Sequence, residues 1–280
     1  MQQPPDRTRD AGSQAASARA ATARAGPMFQ LERRERIMQR LIREGRVDVA
    51  ELAATFDVTS ETIRRDLTDL QRERLVRRVH GGAIPWRGAS LVPRLEIRES
   101  INVDEKRRIA LAAAREVPES GSLIIDSGST ALHLADVLDR ERDLTVITNS
   151  IPVIRSLALT DRPELVVLGG ALERKTMSMV DETGVDMLRD MSVDVLFFGC
   201  DGMSPERGFT TPHRSEVAIK RAMMASARRT VMMFDHTKIG NEQLFRFAGI
   251  DEVDTIITGV EVDEATASRL EEQGPVVIRA

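Results

Sequence analysis

The chain of 280 residues is 41% hydrophobic, which is enough apolar material for a large core and for more than one domain. A single cysteine, Cys200, excludes an internal disulfide framework and favours a reducing cytoplasm, and no apolar run approaches the roughly 20 residues of a membrane span. Residues 1–85 hold 16 arginines and 12 acidic residues, a net charge of +4. Because the whole chain carries −4, residues 86–280 carry −8. Only the amino-terminal part therefore has the charge expected of a surface that binds a polyanion such as DNA.

Residues 1–27 are rich in alanine, arginine, serine and glutamine without a hydrophobic period, which predicts a disordered tail. Met28 is an alternative start of translation, because the ordered pattern begins there. A helix is predicted from Gln30 to Glu44, and Gly45 ends it. Its apolar stripe consists of Leu31, Ile37, Met38, Leu41 and Ile42.

Two short helices joined by a tight turn at Asp57 are predicted next. Asp48 is a good N-cap for the first, and Glu51 can complete a capping box. Thr59 or Ser60 caps the second. Apolar residues at spacings of four and three give this second helix one buried face: Ile63, Leu67 and Leu70.

The opposite face of the second helix has the chemistry of a DNA-reading surface. Arg64 and Arg65 can pair with guanine edges in a major groove, and short hydroxyl side chains can reach phosphates or bases. The other interpretation is an ordinary amphipathic helix pair with a solvated charged face. The helix pattern alone does not decide between the two.

The hairpin that follows decides in favour of DNA. The stretch Leu75–Val79 is typical of a strand, Gly81 and Gly82 permit a tight reversal, and Val47 can add a short closing strand. Residues 28–85 are therefore predicted to form a winged helix-turn-helix domain. The hairpin arginines are expected to contact phosphates and His80 to hold the turn. The predicted DNA-binding residues are Thr59, Ser60, Glu61, Thr62, Arg64, Arg65, Arg77, Arg78 and His80.

This region resembles the DeoR family of bacterial repressors, whose signature contains TIRRDL followed by HGGA. Both stretches are present here, as Thr62–Leu67 and His80–Ala83. Arg74 departs from the family, which commonly has Gly or Asn between helix and wing. If that position must be left-handed, arginine costs about 1 kcal/mol relative to glycine, which loosens the turn without changing the assignment.

Residues 86–104 contain Gly88 and Pro93 with little periodicity and are predicted to form a linker. Its Arg94, Glu96 and Arg98 are expected to face solvent or a domain seam. Asp104 is expected to cap the helix that follows.

Seven near-continuous apolar runs follow, separated by helical segments. Strands of this kind are buried on both faces, as in a parallel sheet. Residues 105–280 are therefore predicted to form one doubly wound, mostly parallel α/β domain. The strands are predicted at 122–126, 144–148, 165–168, 193–198, 230–234, 255–258 and 276–278. The helices are predicted at about 105–116, 129–139, 150–159, 183–190, 214–227 and 262–272.

Polar loops follow several of these strands, where doubly wound sheets bind ligands. The stretch Asp126–Thr130 can surround a phosphate with backbone N–H groups and hydroxyls, although a capped helix uses the same residues. The carboxylate–lysine pairs farther along could equally be exposed ion pairs worth less than ~1 kcal/mol. Their common place at strand ends favours one polar site. The predicted effector-binding residues are Asp126, Ser127, Gly128, Ser129, Thr130, Asn149, Ser150, Gly169, Gly170, Asp201, Gly202, Glu216, Lys220, Asp235 and Lys238.

The second half also resembles the DeoR family, in its DSGST, VITNS, LGG and GCDG stretches, so the resemblance covers about residues 28–260. It implies a sheet related to ribose-5-phosphate isomerase and glucosamine-6-phosphate deaminase. It also implies a repressor of a carbohydrate or polyol operon that a phosphorylated sugar releases from double-stranded operator DNA. A homodimer or homotetramer is expected because one short helix reads too few bases. No cofactor, metal or membrane is expected.

The alternative function is a sugar-phosphate isomerase fused to a DNA-binding module. Aldose–ketose chemistry needs a general base beside a carbonyl, and Glu216 could be that base with Asp201 nearby. Related isomerases carry a second aspartate where this chain has Ser204, and their lysine has no counterpart between Pro205 and Arg214. Because the acid–base set is incomplete, we expect a regulator rather than an enzyme.

Overall fold

The computed structural model describes residues 30–72, 75–85 and 95–280, which form two compact units divided between Ile84 and Pro85. The predicted tail at 1–27, Arg74 and linker residues 86–94 lie outside this part of the chain. None of the helices described is long and apolar enough to cross a membrane.

The first unit has the element order of a winged helix-turn-helix. Its elements are α1 (Gln30–Glu44), β1 (Val47–Asp48), α2 (Val49–Phe56), α3 (Ser60–Arg72), β2 (Val76–Val79) and β3 (Gly82–Pro85). The sheet order is β1–β3–β2, so the short closing strand predicted at Val47 is confirmed. Ile37, Met38 and Leu41 of the predicted stripe are fully buried, whereas the side chains of Leu31 and Ile42 lie outside the described set.

Local chemistry explains the start of α2 and the tight wing. Asp48 caps α2 by accepting two backbone N–H groups, at 2.8 and 3.3 Å. The Glu51 carboxylate bonds the Arg40 guanidinium at 2.8 Å instead of completing the predicted capping box. A Cβ at Gly82 would lie 1.9 Å from the Val47 carbonyl oxygen, so the approach of β1 to β3 requires glycine.

The second unit alternates helices and strands along the chain. Its helices are α4 (Leu95–Ser100), α5 (Val103–Ala114), α6 (Ser129–Val137), α7 (Ile151–Leu157), α8 (Glu182–Arg189), α9 (Arg214–Ser226) and α10 (Glu264–Glu271), with short 3-10 turns at His236–Lys238 and Ile250–Glu252. Its strands are β4 (Ser120–Ile125), β5 (Asp143–Thr148), β6 (Glu164–Val167), β7 (Leu172–Glu173), β8 (Ser178–Met179), β9 (Val195–Phe198), β10 (Gly202–Ser204), β11 (Gly208–Thr211), β12 (Thr230–Met233), β13 (Phe245–Ala248), β14 (Thr255–Thr258) and β15 (Val276–Arg279).

The central sheet of the second unit contains all seven predicted strands, in the order β15–β14–β12–β9–β4–β5–β6. Every neighbouring pair is parallel. Successive residues of β9 enter opposite layers of the core: Phe197 packs on one face of the sheet and Phe198 on the other. The predicted doubly wound fold, buried on both faces, is confirmed.

The linker predicted at residues 86–104 is too long at its carboxyl-terminal end. Residues 95–100 form helix α4, whose Leu95 and Ile97 are buried, and Arg98 is only 9% exposed instead of facing solvent. Helix α5 begins at Val103, after the N-cap Asn102, rather than at a cap provided by Asp104. A helix of six residues is too short to display a period in the sequence.

Two small antiparallel sheets were not predicted. One contains β10, β11 and β13, and the other pairs β7 with β8. Their strands have two to four residues each, so they lack the length over which alternation is recognised. The three-stranded sheet holds Thr211 and Phe247 beside the polar edge of the main sheet.

Candidate functional site

Helix α3 separates its residues into a buried and an exposed face. Its predicted apolar residues are fully buried. The predicted DNA-binding residues are exposed or half-buried: Thr59, Ser60, Glu61, Thr62, Arg64, Arg65, Arg77, Arg78 and His80. Arg64, Arg65 and Arg78 line one shallow surface depression, which we call the reading face.

The start of α3 is fixed by Thr59 rather than Ser60. The Thr59 hydroxyl accepts the Thr62 backbone N–H at 3.1 Å and lies 2.9 Å from the Thr62 hydroxyl. Glu61 lies 3.6 Å from the Arg64 guanidinium, at the exposed surface. The hydroxyls in this turn therefore stabilise the helix that presents the two arginines.

Asp66, inside the TIRRDL stretch, faces inward. Its carboxylate accepts hydrogen bonds from Arg33 Nε at 2.5 Å and Arg33 Nη2 at 3.3 Å. The side chains are 1% and 8% exposed, so this buried ion pair fastens α3 to α1. No role could be predicted for this carboxylate from the sequence, because its partner lies 33 residues earlier.

The wing is tied to α3 through Arg78. The Arg78 guanidinium donates to the Thr68 hydroxyl at 3.0 Å, and its backbone N–H donates to the Gln71 side chain at 3.2 Å. Arg77 is exposed on the same strand. Beside His80, Gly81 has a φ of 77°, as the predicted tight reversal requires.

A pocket with an empty volume of about 480 Å³ lies where the strand order of the main sheet reverses, between β4 and β9. Ligands of doubly wound folds bind at such switch points. The lining residues are Arg98, Ser127, Gly128, Ser129, Thr130, Ala131, Thr176, Gly199, Cys200, Asp201, Glu216, Lys220, Met233, Phe234 and Lys238.

The loop after β4 supplies backbone donors to this pocket. Gly128 has a φ of 125°, a conformation that favours glycine, and it precedes the first turn of α6. The first intrahelical bond there runs from the Leu132 N–H to the Gly128 carbonyl. The N–H groups of Ser129, Thr130 and Ala131 therefore precede the helical ladder and are suited to an anion.

Lys220 joins the ends of β4 and β9. Its ammonium group makes a short ion pair with Asp126 and donates to the Gly199 carbonyl at 3.0 Å. The same nitrogen lies 5.2 Å from the centre of the Phe247 ring. Lys220 is 4% exposed; burial lowers its pKa, but the charges of Asp126 and Glu216 outweigh this and raise it. It is a buried cation rather than the exposed partner of Glu216.

Arg98 of α4, which precedes the central sheet in the chain, also lines the pocket. Its Nη1 donates to Asp201 Oδ1 at 3.1 Å. The Nε and Nη2 atoms are buried without a hydrogen-bond partner among the described residues. Sequence analysis missed Arg98, because α4 is too short for its buried side to be recognised before the structure shows Leu95, Arg98 and Ile101 to be buried.

Glu216 and Asp201 meet at Thr211. The Thr211 hydroxyl lies 2.7 Å from Glu216 Oε2 and 3.1 Å from Asp201 Oδ2. Burial, reinforced by the charge of Asp201, raises the pKa of Glu216 to about 7. The other carboxyl oxygen, Oε1, is buried and has no partner within the described chain.

Asp235 follows β12 and holds the start of α5. It accepts the Asn102 amide at 3.1 Å and lies 3.9 Å from the Lys106 ammonium group. Burial alone would raise the pKa of Asp235. The charges of Lys238 and Lys106, together with hydrogen bonds from Thr237 and Asn102, outweigh burial and lower this pKa to about 2. Burial lowers the pKa of Lys106 to about 8, and its ammonium donates to two carbonyls at the end of α4. Neither Asp235 nor the predicted residue Asp126 lines the pocket, whereas Lys238 does.

The other predicted effector residues have local structural contacts at the same sheet edge and do not line the pocket. The Asn149 amide donates to the Met179 carbonyl at 3.0 Å, and Ser150 caps α7. Gly170 has a φ of 134° beside Asp181. A Cβ at Gly202 would lie 1.8 Å from the Asn241 carbonyl oxygen. The residues concerned are Asn149, Ser150, Gly169, Gly170 and Gly202.

Two further groups near the pocket are a candidate metal site and a cysteine thiol. Glu105, Asp235 and His236 could offer three metal ligands, but Glu105 already bonds the His236 ring at 2.7 Å and Asp235 is bonded as described above. Burial raises the pKa of the Cys200 thiol to about 12, so it is not a nucleophile at neutral pH.

Comparison with known proteins gives matches across both units. Residues 33–85 match the DeoR-like helix-turn-helix domain and residues 101–260 match the DeoR C-terminal sensor domain. The chain is 30% identical to the HTH-type transcriptional regulator GlpR of Haloferax volcanii, over 90% of this chain and 98% of that protein. It is 29% identical to the glycerol-3-phosphate regulon repressor of Escherichia coli K12, over 82% and 91%.

Among solved structures, ribose 5-phosphate isomerase A from Methanocaldococcus jannaschii aligns with a TM-score of 0.37 and 19% identity, covering 49% of this chain and 55% of that one. The translation initiation factor eIF-2B of Pyrococcus horikoshii aligns with a TM-score of 0.38 and 15% identity, over 77% and 74%. Likenesses of this size carry no weight for function. The two domain matches and the near-complete coverage of the regulators decide the assignment: the chain belongs to the DeoR family of helix-turn-helix transcriptional regulators.

Proposed function

We propose that the protein represses a carbohydrate or polyol operon and is released from its operator by a phosphorylated sugar. The observation that carries this proposal is the buried guanidinium of Arg98, whose Nε and Nη2 atoms have no hydrogen-bond partner in the described part of the chain and lie in a pocket that also receives the first N–H groups of α6. Such donors suit a phosphate monoester. The Escherichia coli relative is named as a glycerol-3-phosphate regulon repressor, which supports the same ligand class.

Arg98 also suggests how the ligand could influence the DNA-binding unit. Helix α4 follows the connecting segment after Pro85, and Arg98 pairs with Asp201. A phosphate that recruits the free donors of Arg98 competes with Asp201 and changes the position of α4. Two or more subunits present their α3 helices to half-sites, and the ligand must bind the DNA-free form more tightly, since otherwise it shifts nothing.

A thermal-shift screen with sugar phosphates tests the ligand class. A compound present at 100 times its Kd is expected to raise the melting temperature by roughly 5–10 °C. Replacing Lys238 with alanine should weaken the response about tenfold in ligand concentration, because it removes a cation from the pocket. Lys175→Ala is the matched control, since this exposed lysine does not line the pocket. Failure of every sugar phosphate to stabilise the wild type contradicts the proposal.

Operator binding tests the reading face. Arg64→Ala and Arg65→Ala are each expected to cost about 1–3 kcal/mol in operator affinity and to relax the preference for one base pair. Arg77→Ala, on the wing, is expected to weaken all sequences alike and to reduce the salt slope by about one. Titrations at several salt concentrations separate the two classes. Unchanged affinity and sequence preference in both α3 variants would remove these arginines from the DNA contact.

We do not propose catalysis, because the residues that could assist Glu216 in an isomerase reaction form hydrogen bonds or ion pairs with other residues. Ser204, at the place of the second isomerase aspartate, bonds the Glu242 carboxylate at 2.6 Å. The lysine that is present, Lys220, is paired with Asp126. Incubation with pentose and hexose phosphates is the check, and turnover that Glu216→Gln abolishes would reverse this conclusion.

A further inference from the structure

The Thr211 hydroxyl stands between two carboxylates and can satisfy only one of them. It has a single proton to donate, yet it lies 2.7 Å from Glu216 Oε2 and 3.1 Å from Asp201 Oδ2. The hydroxyl oxygen also accepts the His213 backbone N–H at 3.3 Å. If both carboxyl groups are ionised, one of them faces an oxygen lone pair in a site from which water is largely excluded.

A proton on Glu216 Oε2 lets the Thr211 hydroxyl form a hydrogen bond with each of the two carboxyl groups. Glu216 then donates to Thr211, and Thr211 donates to Asp201, whose other oxygen accepts Arg98. The direction agrees with the raised pKa of Glu216, which is 3% exposed. The carbonyl-like oxygen Oε1 still has no partner among the residues described, and it belongs to a residue that lines the pocket.

The charges around the pocket also favour a neutral Glu216 when an anion is bound. With Glu216 ionised, the carboxylates Asp126, Asp201 and Glu216 balance the cations Arg98, Lys220 and Lys238, which line the pocket or pair with a residue that does. With Glu216 neutral, one positive charge is in excess. A bound phosphate adds negative charge and therefore favours the protonated form.

We propose that Glu216 binds the effector as a neutral carboxylic acid, with Oε1 accepting a ligand hydroxyl, so that binding of a hydroxylated phosphate monoester takes up a proton. This inference rests on the proposed function and makes it more specific. It assigns Glu216 to recognition of a hydroxyl donor, and it makes affinity fall as pH rises.

Calorimetry with the sugar phosphate that stabilises the protein most tests the inference. Titrations at pH 8 in two buffers of different ionisation enthalpy give the number of protons taken up. Phosphate monoesters, whose second pKa is about 6, are already dianions at that pH. Wild type is expected to take up more protons than Glu216→Gln, which carries a permanently neutral group. Lys106, with a pKa of about 8, titrates in the same window but is present in both proteins, so the difference isolates Glu216.

The affinities provide a second comparison. Between pH 7 and pH 8.5, the Kd of wild type is expected to rise about tenfold more than that of Glu216→Gln, from the titration of one carboxyl group whose pKa the ligand raises. A ligand-induced infrared band of a protonated carboxyl group gives an independent readout on wild type alone.

Each outcome decides a different claim. Equal proton uptake by wild type and Glu216→Gln, or no carboxyl band on binding, overturns the role of Glu216 and leaves the proposed function intact. Failure of wild type to bind any sugar phosphate removes the proposed function and the inference with it.

Discussion

Replacing Asp66 with alanine is expected to lower the unfolding free energy of the winged-helix unit by about 3–5 kcal/mol, because it removes the carboxylate of a buried ion pair. Arg33 then retains its charge in a site that is 8% exposed at the side chain. A loss of this size approaches the whole stability of a small unit, so operator binding is expected to disappear with the fold. Chemical denaturation followed by circular dichroism measures the first effect, and fluorescence anisotropy with labelled operator measures the second.

Asp69→Ala is the matched control on the same helix. Asp69 pairs with Arg72 at 3.2 Å, and the Arg72 side chain is 77% exposed, so this loss is expected to stay below ~1 kcal/mol. Arg65→Ala should behave differently from both variants, with lost operator affinity and an unchanged unfolding transition. Equal stabilities of Asp66→Ala and Asp69→Ala would show that the Arg33–Asp66 pair does not hold α3 in place.

Lys220→Met is expected to destabilise the sensor unit by about 3–5 kcal/mol and to abolish the response to sugar phosphates. Methionine keeps an unbranched chain beside Phe247 but leaves the Asp126 carboxylate, which is 1% exposed, without its ammonium partner. The negative charge left next to Ser127–Thr130 also repels a phosphate. Thermal unfolding with and without ligand measures both consequences.

Arg189→Met is the control for Lys220→Met. The Arg189–Asp186 ion pair is also short, at 2.7 Å, but its side chains are 71% and 61% exposed. The loss of unfolding free energy is therefore expected to be near zero. Adding Asp126→Asn to Lys220→Met should recover part of the lost stability, since the uncompensated charge is then removed. No recovery would locate the defect in packing instead of charge.

The sequence predicted those parts of the molecule that depend on long periodic patterns. The strands of the central sheet are continuous apolar runs, and their parallel arrangement follows from burial on both faces. The winged-helix elements likewise follow from caps, apolar spacing and the glycines at the hairpin. By contrast, α4 and the sheet formed by β10, β11 and β13 have too few residues for any period to be visible.

Ion pairs between residues far apart in the chain could not be predicted from the sequence. Lys220 was predicted to share a polar site with Glu216, one helical turn away, but the sequence did not show that its ion-pair partner is Asp126, 94 residues away. Arg98 reaches Asp201 across 103 residues. Which carboxylate a buried cation meets depends on the order of strands in the sheet, and that order is set by the packing of the whole unit.

The position of α4 bears on how this protein should be divided for experiments. The match to the DeoR C-terminal sensor domain begins at residue 101, three residues after Arg98, and ends at 260, before α10 and the edge strand β15. A truncated protein cut to those limits would lack the guanidinium that contacts Asp201 and would expose the apolar side of β14. Binding studies on an isolated sensor unit should therefore retain the residues from Pro85 to the carboxyl terminus. Without them, a failure to detect binding would reflect the truncation rather than the choice of ligand.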